Sequence, residues 1–179
     1  MSEATPSRAP SGPPAGTWVV AGMLALAVAL AVFGIWYQRG QTRRCLELYG
    51  SADAHRIQAA PRVELWPLAA AGETTRGVPA RRIDISKARG VVHMRRGLVE
   101  DANFDWDTVA AVNGVPPTFA LAFFDDAAAV EPATLLLVRL DDRGGSLEVD
   151  GRPGTVRLGR ISSGLRTWLA EAAAGGGAP

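Results

Sequence analysis

Cysteine is all but missing from this chain. Cys45 is the only one among 179 residues, so no intrachain disulfide can form, and it reads as a free, partly buried thiol. Histidine is nearly as scarce. His55 and His93 stand apart, in neither a His-x3-His nor a Cys-x2-Cys spacing, which leaves a structural zinc site without its ligand set. Lysine occurs once, at Lys87, so eighteen of the nineteen basic residues are arginine. With eighteen Asp and Glu the net charge is only +1. A nucleic-acid partner is not indicated, because the chain has neither a strongly basic total nor basic residues interleaved with aromatics. Phosphate-cradling loops are missing too: Gly151-Arg152-Pro153-Gly154 falls between two strand-like segments, not between a strand and a helix. No Gly-x-Ser-x-Gly occurs, and Ser162 and Ser163 stand where a last helix needs caps. Neither a cofactor nor a metal is expected.

What the chain does have is a long run without charge, from Ala9 to Gln38. Residues 18–37 supply the roughly 20 apolar residues that a helix needs to cross a hydrocarbon core of about 30 Å. A helix satisfies its own backbone polar groups there. Trp18 at one end, and Trp36 with Tyr37 at the other, suit the two interfacial zones, and Arg39, Arg43 and Arg44 suit the headgroups beyond. A cleaved signal peptide would show an apolar core of about 7–15 residues followed by small residues at the cleavage site. Trp36-Tyr37-Gln38-Arg39 offers no such site. The expectation is a retained, single-pass anchor in the cell membrane, with the lipid bilayer as its first partner. The three arginines favour a globular domain on the cytoplasmic side, and a short N-terminal tail that stays inside is the opposing arrangement. Ala21, Ala25 and Ala29 share one helix face and would let two anchors approach as a homodimer, the alternative to a lipid-facing monomer.

Around this anchor the organisation reads as a disordered tail over 1–16, a transmembrane helix over 17–38, a helical neck over 39–60, a globular domain over 61–173 and a flexible tail over 174–179. The first tail is mostly Pro, Ser, Ala and Gly and buries too little to order itself. In the neck, Gly50 is placed to end one short helix, and Ser51 or Asp53 to begin the next. Residues 63–66, 82–85, 118–124, 133–140, 146–149 and 155–158 read as strands. Val91, Met94, Leu98 and Ala102 form a helical stripe over 86–102, with a hairpin of 91–94 against 104–106 as its rival. Residues 107–112 are a short element stopped by Asn113-Gly114. Ile161, Leu165, Trp168, Leu169 and Ala172 make a closing amphipathic helix. Short strand connections imply an antiparallel sheet, and the class is α+β with helices packed on one face.

Charge is uneven along the chain. From Arg39 to Val99 twelve Lys or Arg face five Asp or Glu, whereas from Glu100 onward six face twelve. The basic half could lie against anionic headgroups, or the two halves could neutralise each other within one fold. His93 and Glu100, seven residues apart, would share a helix face, and with Asp101 they are the acid–base candidates for a membrane-surface enzyme. A structural hydrogen bond is the commoner use of such a pair. Asp105-Trp106-Asp107 is a fragment of a calcium loop and reads better as a solvated acidic turn. The reading that needs no missing parts is a membrane-anchored interaction or accessory module with a protein or lipid partner.

From Arg82 to Trp106 the chain carries a "DxSxAxGxxHxRxxLxED" segment. This segment, with Gly164-Leu165 near the closing helix, resembles a group of bacterial proteins, chiefly from planctomycetes, that look like short single-pass membrane proteins. The likeness spans roughly residues 43–170. It implies the architecture above and, because that group has no assigned activity, no chemistry.

Overall fold

The computed structural model describes residues 15–68, 79, 81–107, 116–142 and 144–175. It divides into two compact units, Met1–Gly40 and Gln41–Pro179.

The first unit is one helix, α1, Ala15–Gly40. Within it Gly16–Tyr37 is long and apolar enough to cross a membrane, and none of that stretch is buried. Its 22 residues rise about 33 Å, slightly more than a hydrocarbon core. Phe33 lies 6.2 Å from the rings of both Trp36 and Tyr37, so the aromatic end of the helix is a cluster on one side.

The second unit begins with α2, Arg43–Ala59, interrupted at Gly50, where φ is 74° and ψ 160°. That combination is essentially reserved for glycine. A Cβ on Gly50 would also sit 2.8 Å from Nη1 of Arg152. The backbone at Gly50 thus parts two helical segments, as the sequence implies. On this segment Cys45, Tyr49 and Ile57 are wholly buried in the core.

There follow β1 (Arg62–Pro67), β2 (Ile83–Asp84), α3 (Val91–Gly97), a 3₁₀ turn (Asp101–Asn103), β3 (Phe104–Asp105), β4 (Phe119–Phe124), β5 (Thr134–Arg139), β6 (Ser146–Val149), β7 (Thr155–Leu158) and α4 (Ser162–Gly175). The seven strands form one sheet in the order β2-β1-β4-β5-β6-β7-β3, and every pairing is antiparallel. Both edge strands are two residues long. The class is α+β, as the sequence implies.

Two details of the 86–102 stretch depart from its sequence reading. Gly90 precedes α3 in the left-handed region, at φ 86°, so the helix cannot begin before it. After Gly97 the chain turns inward: Leu98 and Val99 are buried, Ala102 is exposed, and Asn103 Nδ2 takes the Gly97 carbonyl at 2.9 Å. The rival hairpin does not form, because Phe104 pairs with Leu158 of β7. The short element expected over 107–112 lies, from residue 108, outside the described residues.

Strand alternation assigns the two faces of the sheet. Val63, Leu65, Leu121, Phe123, Leu136, Val138, Leu147 and Val156 share one face, and α2, α3 and α4 lay Cys45, Tyr49, Ile57, Met94, Leu165 and Leu169 on it. The other face carries a second cluster of Trp66, Ala120, Ala122, Phe124, Leu135 and Leu137. Cations cover part of it, with Arg62 stacked 3.7 Å above the Phe124 ring and Arg82 at 4.9 Å from that of Trp66.

Candidate functional site

The segment read as an acid–base stretch wraps around the two ends of α2. Thr42, before the helix, makes no side-chain cap. Asp101 supplies one from a distance: Oδ2 accepts from the Arg44 N–H at 2.9 Å and Oδ1 from the Cys45 N–H at 2.8 Å. A negative charge on the unpaired N–H groups of a helix start is favourable for both hydrogen bonding and the helix dipole. Its own backbone holds Asp101 in place. The N–H donates to the Gln41 carbonyl and the carbonyl accepts from Trp106 Nε1, each at 2.8 Å. At the far end of α2, Arg95 donates through Nη2 to the Ala60 carbonyl at 2.8 Å and through Nη1 to that of Gln58 at 3.3 Å. A cation therefore meets the carbonyl end and an anion the amide end.

Asp84, Ser86 and Glu100 of the quoted segment have structural partners as well. Asp84 Oδ1 accepts from the N–H and Oγ of Ser86 at 2.8 and 2.6 Å, and Ser86 Oγ accepts from the Val63 N–H at 2.9 Å. Partial burial raises the Asp84 pKa, but the Ser86 bonds and the charges of Arg62 and Lys87 outweigh it and leave it below the usual carboxylate range. Glu100 pairs with Arg96 at 2.9 Å.

His93 is exposed, and no hydrogen bond joins it to Glu100 or Asp101 among the described residues. The sequence-based trio is therefore not assembled. His93 instead lines a concavity of about 390 Å³ between α3 and the start of α4, with Arg160, Ser163, Trp168 and an apolar floor that includes Met94 and Leu165. Trp168 and Gly90 also border a neighbouring concavity of about 430 Å³, which holds Arg89 and Glu171. Trp168 is pinned by its Nε1 bond to the Arg89 carbonyl at 2.8 Å, and a Cβ on Gly90 would come within 3.0 Å of that nitrogen.

Two buried features remain, and only the partners of the first escape a sequence reading. Asp53 is 6% exposed and gathers Thr134 Oγ1 at 2.7 Å, Arg56 Nη1 at 2.8 Å and Arg152 Nη2 at 2.7 Å. Arg56 reaches on to Asp125 at 2.9 Å, so one carboxylate ties α2 to the start of β5 and to the β6–β7 turn. Its only sequence signal was an Asp near a helix start. The second feature is Cys45, whose Sγ faces the Leu98 carbonyl at 4.0 Å. Burial first, then the hydrogen bond and charge of Asp101 and the charge of Glu100, push the thiol pKa far up, so it is no nucleophile. Tyr49 is buried beside it, its hydroxyl unpartnered among the described residues and its pKa raised by the same burial.

Of the arginines placed at the membrane flank, Arg43 and Arg44 lie in the first turn of α2, paired with Glu47 at 3.1 Å and Asp107 at 3.6 Å. Among the described residues no three His, Cys, Asp or Glu side chains converge as a metal set. No protein-family model, curated protein or solved structure matches the chain.

Proposed function

We propose that this is a single-pass membrane protein whose α+β domain acts as an interaction or accessory module at the membrane surface, with its globular part in the cytoplasm. The observation that carries the reading is α1: Gly16–Tyr37 is apolar throughout and buries none of itself in the fold. An apolar helix of this length needs a solvent other than water. A binding role is further supported by the carboxylates nearest His93 in sequence, since both are spent on Arg96 and on the start of α2. The test is extraction of the full chain from membranes. It should stay in the pellet under alkaline carbonate and move to detergent, and Leu26→Arg should cut membrane retention, because a charge at mid-span costs about 3 kcal/mol. Release of the unaltered chain by carbonate would overturn the anchor.

A further inference from the structure

We propose that the α3 face of the domain, from Arg89 to Arg96 with Arg160 beside it, is a docking surface for a bilayer bearing anionic headgroups. This rests on the reading of α1 as an anchor and adds which part of the domain meets the lipid.

Three observations converge on that face. Arg89 and Arg160 border adjoining concavities that share Gly90 and Trp168, and among the described residues neither side chain makes an ion pair. Val92 is 72% exposed on the same short helix, and Arg96 follows it by one helical turn. Among the described residues Arg96 is held by an exposed pair with Glu100, a contact that water and salt leave weak. Asp125, Asp126 and Glu131 lie in the β4–β5 connection, whereas Asp141, beyond β5, touches α4, its carbonyl accepting from Arg166. Among the described residues Glu171 is the one acid lining either concavity.

A cationic surface with one protruding aliphatic side chain suits headgroups better than it suits a protein groove, which would ask for a buried aromatic or aliphatic anchor. Supply favours the same occupant. Only Gln41 and Thr42 separate α1 from α2 in the chain, so an anchored α1 keeps the domain where anionic lipids attract Lys and Arg.

The experiment uses the full chain in two sets of vesicles, phosphatidylcholine alone and phosphatidylcholine with phosphatidylglycerol. Flotation is scored first, then amide hydrogen exchange over 88–97 and 159–165. The expected result is flotation with both, and exchange in these segments at least about fivefold slower with phosphatidylglycerol, roughly the factor that one basic side chain supplies at an anionic surface. The difference should vanish in about 0.5 M salt. It should also vanish in Arg89→Glu/Arg160→Glu, whose exchange on phosphatidylcholine should match the unaltered chain. Equal exchange on the two lipids, or slowing that survives the double reversal, overturns the surface while the anchor stands. Protection by added polyglutamate without any lipid effect overturns it in favour of an acidic protein. Flotation with phosphatidylglycerol vesicles only would uphold the surface and overturn the anchor, and flotation with neither would overturn both.

Discussion

Cys45 shows how far a residue's surroundings can outweigh its chemical type. A lone thiol next to an arginine-rich turn looks like a convenient handle, yet it is wholly buried and its pKa is driven up by desolvation and by Asp101. Folded protein at pH 7.5, as a working choice of about neutral pH, should therefore resist maleimide, and the thiol should react only once urea unfolds the domain. Rapid labelling of native protein, read by mass spectrometry, would contradict the burial. Asp84 makes a pH-dependent counterpart. Its folded pKa lies below its unfolded value, so its contribution is complete above the ordinary carboxylate range and is lost as pH falls through the folded value. Asp84→Asn, which can still accept the Ser86 bonds, should leave neutral-pH stability almost unchanged and make the fall in Tm below about pH 4 less steep. The difference should be small, because the side chain is exposed and water screens it.

At the scale of elements, α2 depends on residues far along the chain. Asp101 closes its first turn and Arg95 its last. Asp101→Ala should cost about 1–3 kcal/mol, the range for losing charge-assisted caps, and Asp101→Asn should recover part of it. Urea midpoints at constant slope measure this, and an unchanged Asp101→Ala midpoint would remove the cap from the account. The same elements show what local sequence conveys. The strands β1, β4, β6 and β7 and the stripe of α4 were legible because their alternation or helical period is written in consecutive residues, and β5 because it is a continuous apolar run. Gly50 was legible as a break because glycine signals a special backbone. By contrast, β3 is two residues long and exists only because β7 is there to pair with it. Burial of Ala120, Ala122 and Phe124 on the second face is equally non-local. His93, Glu100 and Asp101 stood out as titratable neighbours, but their spacing could not show that α3 stops at Gly97 and turns Asp101 away toward α2. The groove residues Arg160 and Trp168 lie some seventy residues from His93, beyond any local pattern.

For the whole molecule, the proposed cytoplasmic placement of the domain is open to a direct test. Cys45 cannot report it, being buried, so the probe belongs at Val130, which is 79% exposed. In a Cys45→Ala/Val130→Cys chain, an impermeant maleimide should label only after spheroplasts are lysed. Labelling of intact spheroplasts would put the domain outside. The sheet order has a bearing on crowding. Proteins confined to a membrane meet their own copies in two dimensions, at local concentrations far above those of free solution, and an open β-edge there invites fibre growth. Here the outermost ribbons, Ile83–Asp84 and Phe104–Asp105, each offer two residues ending in a carboxylate, and β1 finishes in Pro67. Such truncated, charged margins give a neighbour little to extend. These margins suit the membrane-confined population that the proposed anchor would create.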